Sequence, residues 1–419
     1  MAATINGDAV TALTDSLIDW RYKGMPPGWS GRTAREISSQ RPDLFAAGPM
    51  GPVCVLDGDA LTHNLATMSR WCDEHGVQLA PHGKTHMSPQ LAARQIEAGA
   101  VAITVATAAQ ARMYRAFGVS DLVLANELVD AAGLRWAAAE LNADPHFRLV
   151  CWVDSVRGVE IMDAELGAAG VARPLDVCVE VGAPGGRTGA RTDAEIDAVA
   201  GAAVAAEHLR LVGVAGYEAA LGHDVSAQGQ APVRDYLLRM RAAVLRLADR
   251  VADDHIMVTA GGSTHFDLVC EYLTGDWPTD VPVRTVLRSG CYLTHDDGLY
   301  RRTSPLTRTP ADTGTLRPAL SVWAQVSSRP DPDLALATMG RRDVSFDQGM
   351  PEARGRTDVE VIKLNDQHAY LRLEPSSDVG VGDWMQFGIS HPCTTFDKWQ
   401  LIPVLDNENR VIELIRTFF

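Results

Sequence analysis

Long apolar runs and clusters of basic residues are both missing from this sequence. No segment reaches the ~18 consecutive apolar residues that a membrane-spanning helix requires. The 419 residues include 38 Lys and Arg against 53 Asp and Glu, which gives a formal net charge of −15. Nucleic-acid binding depends on clustered basic side chains, and anionic lipid repels an acidic surface. We therefore expect no nucleic acid and no membrane among the partners.

Cysteine is also scarce, and its spacing matches no zinc-finger or redox motif. The seven cysteines are scattered along the chain, and no two are spaced as CxxC. The first 20 residues contain no basic residue before an apolar run, so no secretory signal is predicted. Free thiols are typical of a reducing compartment. We therefore expect a cytoplasmic protein whose cysteines are mostly buried as small apolar side chains.

From residue 51 to about residue 300, short apolar runs alternate with helical segments. Such runs predict parallel strands that helices cover on both faces. Eight strand–helix units close a (β/α)8 barrel of about 250 residues. There is one candidate strand more than the barrel needs, and we expect the first to lie outside it. The candidates are Val53–Leu56, Val77–Ala80, Ala102–Ala106, Leu122–Ala125, Arg148–Val153, Asp176–Val181, Leu211–Ala215, Ile256–Thr259 and Arg284–Leu287.

Beyond residue 300, apolar and polar residues alternate with a period of two. Runs such as Ser321–Ser327 and Arg410–Ile415 are separated by turn residues, with no long helical segment between them. This alternation predicts strands with one buried face, as in antiparallel sheets. We therefore predict an α/β protein in three parts: an N-terminal extension over residues 1–50, a (β/α)8 barrel over 51–300, and a mostly antiparallel β-domain over 301–419.

One lysine stands where barrel enzymes place their catalytic groups. Lys84 follows the candidate strand Val77–Ala80 in the sequence Pro-His-Gly-Lys-Thr-His, and barrel active sites lie at the C-terminal ends of the strands. Burial and neighbouring cations there favour the neutral amine that a Schiff base requires. A surface loop lysine is the alternative. His82 and His86 are four residues apart, but the glycine between them argues against the helix that a shared metal site would need.

A glycine-rich turn surrounds a second basic residue. The candidate strand Asp176–Val181 leads into Gly-Ala-Pro-Gly-Gly-Arg-Thr-Gly, in which four glycines surround Arg187. Glycine lets the backbone approach a bound group closely, and a guanidinium is a permanently charged donor. A plain turn with a solvated arginine is the alternative. Tyr217, just after the next strand, is a candidate to face the mouth of the barrel.

The last two barrel strands end in loops of small residues. Ile256–Thr259 is followed by Ala-Gly-Gly-Ser-Thr and a short helical pattern, and the final strand by Ser289 and Gly290. A helix start offers backbone N–H groups and a positive dipole end to a phosphate, and barrel phosphate sites lie after the last strands. The spacing is not that of a P-loop or of a dinucleotide-binding turn. We therefore predict a site for a mononucleotide-like phosphate.

His391 and Cys393 are the candidate metal ligands of the C-terminal part. In an extended segment, residues two positions apart point to the same side, so an imidazole and a thiolate here are predicted to chelate one soft metal ion. Two protein ligands are too few for a closed structural zinc site, whereas open positions for water or substrate are typical of catalytic zinc. A buried cysteine beside a surface histidine is the alternative.

Together these motifs resemble those of a known family. The segments PHGKTH, GGRTG, GGST and SHPCTTFDKW are similar to those of the pyridoxal-phosphate (PLP) enzymes of the D-serine dehydratase and D-threonine aldolase family, and the resemblance covers roughly residues 50–419. It implies the alanine racemase fold, in which a PLP-binding barrel precedes a β-domain, and a homodimer. The fold agrees with the architecture predicted from periodicity.

The resemblance also implies a role for each motif. Lys84 would form the Schiff base with PLP, and Arg187 would lie beside the cofactor ring. Tyr217 is a candidate partner of the ring or of its nitrogen. His391 and Cys393 would bind Zn²⁺. The residues that would hold the phosphate are Gly262, Ser263, Thr264, Ser289 and Gly290.

The reaction that the resemblance implies is a carbon–oxygen lyase reaction. Within the family, dehydratases are associated with His-x-Cys and aldolases with His-x-Asp, so Cys393 favours the dehydration and deamination of a small D-3-hydroxy amino acid such as D-serine. The nearest alternatives are a metal-dependent D-threonine aldolase and a 3-hydroxyaspartate dehydratase. A racemase would not need the metal ligands. A PLP carrier without turnover is a non-enzymatic alternative, but a carrier would need neither the β-domain nor these ligands.

Overall fold

The computed structural model describes residues 3–308 and 314–419, which form two compact units. The barrel unit comprises residues 3–6, Ser69–Lys84 and Gln95–Gly290, and the β unit comprises Gly7–Met68, Thr85–Arg94 and Cys291–Phe419. The units interleave along the chain, whereas the sequence analysis predicts consecutive parts. The two differ because periodicity reports local structure and not the sheet that a strand joins.

The first strand, β1 (Val53–Asp57), belongs to the sheet of the β unit. It pairs antiparallel with Leu320–Asp331 and parallel with Leu401–Leu405. The prediction that the first candidate strand lies outside the barrel is therefore confirmed.

Eight parallel strands form the sheet of the barrel unit. They are β2 (Gln78–Leu79), β3 (Ile103–Val105), β4 (Asp121–Glu127), β5 (Arg148–Val153), β6 (Leu175–Val181), β7 (Leu209–Gly216), β8 (Ile256–Ala260) and β9 (Val283–Leu287). Their order in the sheet is β2-β9-β8-β7-β6-β5-β4-β3. A parallel bridge between His82 and Thr104 connects the two ends of this order, so the sheet curls back on itself. The predicted parallel barrel is confirmed.

Several helices begin at a side chain that caps them. The helix N-caps that accept a hydrogen bond from a backbone N–H of the first turn include Thr33, Thr107, Asp130, Ser155, Thr192 and Ser226. The longer helices are Gly58–Glu74, Pro89–Glu97, Ala108–Ala116, Ala131–Ala143, Val156–Ala168, Asp193–Ala205, Ala227–Leu247 and Phe266–Leu273. The shorter ones are Gly7–Ala12, Ala34–Gln40, Leu299–Thr303, Pro305–Arg308 and Cys393–Phe396. Among the described residues, no helix is long and apolar enough to cross a membrane.

The interior of the barrel is filled by apolar side chains. One cluster draws residues from strands all around the sheet, including Val123 in β4, Trp152 in β5, Cys178 in β6, Val212 in β7 and Val286 in β9. A packed interior leaves the strand ends and their loops as the surface on which a small molecule can bind.

The β unit contains a mostly antiparallel sheet, as the period-two alternation predicts. Every strand pair in it is antiparallel except that of β1 with Leu401–Leu405. Its other strands are Leu320–Asp331, Leu334–Ala337, Glu352–Ala353, Val359–Leu364, Ala369–Leu373, Trp384–Gly388 and Val411–Arg416. A parallel barrel with an antiparallel sheet confirms the predicted fold class.

Much of the N-terminal segment that the sequence analysis treats as an extension is part of the β unit. Ile18, Trp29 and Ile37 are buried in one hydrophobic core with Val53 and Val411. No regular period links these apolar residues along the chain, so only tertiary packing reveals them as core.

Candidate active-site residues

Lys84 lies in a tight turn that begins four residues after the end of strand β2. The turn, Gly83–Thr85, requires glycine at its first position, because a Cβ on Gly83 would come within 2.6 Å of the Tyr114 ring. Tyr114 also donates a hydrogen bond from its hydroxyl to the carbonyl oxygen of Gly83, at 2.8 Å. Within the described part of the chain, the Lys84 amine has no hydrogen-bond or ion-pair partner, so it is available to a ligand.

Other cationic groups lie near Lys84 in the barrel unit. Burial, and then the charges of Lys84, Arg288 and Arg187, lowers the pKa of His82 well below its usual range. His82 is therefore neutral near pH 7, and no described residue hydrogen-bonds its Nδ1 atom. His86 belongs to the β unit, where its Nδ1 accepts a hydrogen bond from the backbone N–H of Ser88 at 3.0 Å. The two histidines thus belong to different units, His82 to the barrel unit and His86 to the β unit.

Arg288 is a buried cation that the sequence analysis missed. It directly follows the last barrel strand, and it is 2% exposed. Its guanidinium donates to Thr259 Oγ1 and to the carbonyl oxygen of Gly216, each at 2.6 Å, while no acceptor among the described residues lies within reach of its Nε. Burial lowers the pKa of Arg288, an effect that the carboxylates of Glu218 and Glu180 oppose. The sequence signal for Arg288 is a charged residue directly after an apolar strand, where barrel enzymes place functional groups.

Arg187 and Tyr217, predicted separately as cofactor-binding residues, lie together. The guanidinium carbon of Arg187 is 4.6 Å from the centre of the Tyr217 ring, a cation–π contact. The backbone N–H of Tyr217 donates to the hydroxyl of Tyr236 at 3.0 Å, which holds the start of this turn. The barrel fold therefore brings one aromatic ring and one permanent cation to the same place.

The glycines of the turn around Arg187 serve packing within the turn itself. A Cβ on Gly182 would lie 1.8 Å from a guanidinium nitrogen of Arg191, and Gly189 has a positive φ of 98°. Arg191 donates to the carbonyl oxygens of Thr188 and Gly189, at 2.7 and 2.8 Å. The turn thus closes around Arg191, whereas the sequence analysis predicts close approach to a bound group.

The carboxylate of Glu218 binds two backbone N–H groups of the predicted phosphate loop after β8. Its buried carboxylate accepts hydrogen bonds from the backbone N–H groups of Gly261 and Gly262, at 2.9 and 2.6 Å. Gly262 was predicted to contact phosphate, but its N–H already has this acceptor. No local sequence pattern predicts this contact, because 43 and 44 residues separate the partners.

The other predicted phosphate residues lie in two loops: Ser263 and Thr264 follow β8, and Ser289 and Gly290 follow β9. Ser289 donates from its hydroxyl to the carbonyl oxygens of Gly261 and Gly262, at 3.2 and 3.3 Å. The hydroxyl of Thr264 lies 2.8 Å from His223 Nδ1. The backbone N–H groups of Ser263 and Gly290 have no acceptor among the described residues. These two groups remain as donors for an anion at this edge of the barrel.

Two carboxylates meet at the ends of strands β4 and β6. Glu127 and Glu180 are buried at their oxygens, and burial together with the charge of Glu180 raises the pKa of Glu127 to about 8. Like charges so close favour sharing one proton. The sequence gives no signal for either residue, because each carboxylate stands alone in an apolar strand.

His391 and Cys393 interact within the β unit, although their segment is not extended as predicted. His391 has a positive φ of 79°, and Cys393 begins the short helix Cys393–Phe396. The backbone N–H of His391 donates to Asp296 Oδ2 at 2.9 Å, which holds this turn. Hydrogen bonding between the two side chains shifts the pKa of each of them.

The pKa shifts of this pair favour a deprotonated Cys393 and a protonated His391. Burial would lower the pKa of His391, but Cys393 and Asp347 outweigh it and raise the pKa to about 9. Hydrogen bonding with Cys291, at an Sγ–Sγ distance of 3.6 Å, and then with His391 lowers the pKa of Cys393 well below its usual range. Cys393 Sγ also lies 3.4 Å from the hydroxyl of Thr85. A deprotonated thiol is the form that binds a metal ion.

In the described ranges, no group of three or more His, Cys, Asp or Glu side chains is arranged to hold a metal ion. His391 and Cys393 therefore fit a metal only as an open site with two protein donors. An imidazole and a thiolate suit zinc better than magnesium or calcium, which prefer oxygen ligands.

Two family models match the chain. The alanine racemase N-terminal domain matches residues 56–277, which is more than half of the sequence. The putative serine dehydratase domain matches residues 319–405.

Individual relatives include both aldolases and a dehydratase. D-threonine aldolase from Arthrobacter sp. is 27% identical over 351 residues, 83% of this chain and 86% of that protein. D-threo-3-hydroxyaspartate dehydratase from Delftia sp. is 34% identical over 142 residues, 33% of this chain and 35% of that protein. The crystal structure of D-threonine aldolase from Filomicrobium marinum has a TM-score of 0.74 at 25% identity and covers 87% of this chain and 94% of that one.

Proposed function

Because the chain belongs to the alanine racemase N-terminal domain family of PLP enzymes and also matches the serine dehydratase domain, we propose that it is a PLP- and zinc-dependent lyase. The proposed reaction is the dehydration and deamination of a small D-3-hydroxy amino acid, with D-serine as the leading candidate, to a 2-keto acid and ammonia. The relatives named D-threonine aldolase and D-threo-3-hydroxyaspartate dehydratase support this class of reaction.

Several features of the barrel unit fit bound PLP. Lys84 has an amine without a partner among the described residues, and it would hold the cofactor covalently. The backbone N–H groups of Ser263 and Gly290 would donate to its phosphate. The contact between Arg187 and Tyr217 offers an aromatic and a cationic group to the ring. When bound, PLP supplies an electron sink for the charge that develops at the substrate Cα.

Lys84 would carry out the proton transfer. Its amine, once released by the incoming substrate amine, would accept the proton of the substrate Cα as a general base. His82 is neutral and adds no positive charge to the site, because burial and neighbouring cations lower its pKa. The neutral imidazole would therefore not add to the repulsion between Lys84 and the nearby arginines.

His391 and Cys393 would hold the zinc ion, which supplies a Lewis acid for the substrate hydroxyl, a poor leaving group by itself. The observation that carries the choice of dehydration is the cysteine at position 393, two residues after His391, where the family resemblance leads us to expect aspartate in an aldolase. Cys393 lies beside Thr85, the residue that follows Lys84 in the chain.

Aldol cleavage is the second candidate function. It is favoured by the D-threonine aldolases among the relatives, one of which is 27% identical over most of this chain. The same lysine and metal ligands would serve that reaction, with the substrate hydroxyl deprotonated instead of expelled. A 3-hydroxyaspartate dehydratase differs from our proposal only in the substrate.

Product analysis separates these candidates. Purified protein with PLP and Zn²⁺ is incubated separately with D-serine, D-threonine and D-threo-3-hydroxyaspartate. Keto acid and ammonia identify a dehydratase, and their formation fastest from D-serine supports the proposal. Glycine with an aldehyde identifies an aldolase and contradicts it. We further propose a cytoplasmic homodimer, and a monomer mass in light scattering would contradict the dimer.

A further inference from the structure

A loop in the β unit is fastened to the segment that carries His391 and Cys393. The loop extends from Asp343 to Gln348. Trp399 Nε1 donates to the carbonyl oxygen of Asp343, and the Ser390 hydroxyl donates to that of Gln348, each at 2.8 Å. These bonds hold both ends of the loop.

The middle of this loop is held by Ser345. Its backbone N–H donates to Thr395 Oγ1, and its hydroxyl donates to the carbonyl oxygen of Ser390, both at 2.9 Å. Ser345 and Thr395 are buried. Buried, fully paired hydrogen bonds fix a loop in one arrangement.

Asp347 projects from the fastened loop onto His391. Its Oδ2 atom lies 2.6 Å from His391 Nδ1, and its Oδ1 atom accepts a hydrogen bond from the hydroxyl of Thr394 at 2.9 Å. Each carboxylate oxygen therefore has its own partner. The main chain of His391 is held separately, through Asp296.

We propose that Asp347 is a positioning residue that orients the His391 ring for metal binding. The inference rests on the proposed function, in which His391 is a metal ligand. A carboxylate on Nδ1 keeps the proton on that nitrogen when the ring is neutral, so that Nε2 carries the lone pair for the metal ion. Two hydrogen bonds to one carboxylate also restrict rotation of the imidazole.

Metal affinity tests this role directly. Asp347→Ala is introduced into the full-length protein with bound PLP. The dissociation constant of Zn²⁺ is then measured for the variant and for the wild type by competition with a chelating indicator. Loss of such an outer partner weakens metal binding about 10- to 100-fold. Asp347→Asn keeps an acceptor oxygen without the charge, so we expect an intermediate value.

Asp397→Ala is the matched control. Asp397 lies in the same segment, is 42% exposed at its side chain as Asp347 is, and pairs with Lys398 instead of a histidine. We expect wild-type zinc affinity for this variant. All variants should keep the wild-type PLP absorbance and a metal-free melting temperature close to that of the wild type, because Ser345 and the bonds at both ends of the loop hold it without Asp347.

Two further readouts separate positioning from a structural role. With Co²⁺ in place of zinc, Asp347→Ala should change the visible bands of the bound ion, which report its coordination geometry. Unchanged zinc affinity and cobalt bands in this variant would overturn the inference, as would weaker zinc binding that is matched by a lower metal-free melting temperature.

Different results would contradict the positioning role of Asp347 and the proposed function. If wild-type protein binds zinc through His391 but releases no keto acid, the function fails and the positioning role stands. If keto acid forms and Asp347→Ala binds zinc as tightly as wild type, only the positioning role fails.

Discussion

At the scale of single residues, the barrel unit contains ionisable groups that are buried. Arg288 is almost fully buried, and the oxygens of Glu127 and Glu180 are shielded from solvent. A buried charge is costly unless a partner or a proton compensates it. Arg288 has two acceptors and nearby carboxylates, whereas Glu127 is compensated by a proton. Such groups cluster at functional sites more often than elsewhere.

Lys84 should be the covalent attachment point of PLP. Purified protein should absorb visible light, and borohydride should link the cofactor to Lys84 irreversibly. Lys84→Ala should lose this linkage and about 10³-fold or more of the turnover, because the general base is removed. Peptide mass spectrometry after reduction locates the adduct. Lys363→Ala, an exposed lysine of the β unit, is the control and should behave as wild type. A reducible PLP adduct that persists in Lys84→Ala would contradict the assignment.

Because of Glu127, the free energy of unfolding should fall as the pH rises from about 4.5 to about 8. Its pKa is raised from an ordinary 4.5 to about 8, so between these values the unfolded chain has released a proton that the folded protein keeps. Folding becomes less favourable across this window. Glu127→Gln should therefore be more stable than wild type at pH 8, and its melting temperature should fall less between pH 5 and pH 8. Glu74→Gln, at an exposed position, serves as control. An identical pH profile in Glu127→Gln would rule out this proton.

At the scale of elements, the loops after strands β7, β8 and β9 depend on one another. Glu218 follows β7 and holds two amides of the loop after β8, and Ser289 after β9 holds two carbonyls of that same loop. Loops carried on a rigid barrel are the usual location of binding groups. Because the three loops share hydrogen bonds, a change in one of them is transmitted to the others.

Gly262→Val should weaken PLP binding. A Cβ at Gly262 would lie 2.8 Å from Ala219 Cβ and 3.2 Å from the Tyr217 ring, so the turn after β7 must shift. Overpacking costs about 1–3 kcal/mol, and we expect a dissociation constant for PLP about tenfold higher or more, measured by fluorescence titration. Gly201→Val, in a helix where the added Cβ meets open space, is the control. Normal affinity for PLP in Gly262→Val would mean that this loop does not bind the phosphate.

At the scale of the whole molecule, the two proposed cofactors depend on different units. The residues proposed for PLP all belong to the barrel unit, and the two proposed metal ligands belong to the β unit. Removal of one cofactor should therefore leave the residues that bind the other intact.

Chelation should abolish elimination while PLP stays bound. Because Lys84 and the phosphate loop need no metal, the visible absorbance should persist when zinc is removed, and keto-acid release from D-serine should stop. Added Zn²⁺ should restore the activity. Cys393→Ala should behave as the chelated protein does, and Cys72→Ala, a buried cysteine of the barrel unit, is the control. Full activity of zinc-free protein would contradict the proposed role of the metal.

The sequence by itself determined the alternation of strands and helices, the antiparallel second sheet, the place of Lys84 after a barrel strand, and the nearness of His391 to Cys393. Each of these is a local pattern, because strand and helix periods and short motifs need only neighbouring residues. Tertiary packing decided that β1 joins the sheet of the β unit. It also decided that Ile18 and Trp29 are buried. The contacts of Glu218 with Gly261 and Gly262, of Glu127 with Glu180, and of Asp347 with His391 were decided in the same way. These partners lie between 43 and 53 residues apart in the sequence, and only the order of strands in the sheet and the docking of loops bring them together.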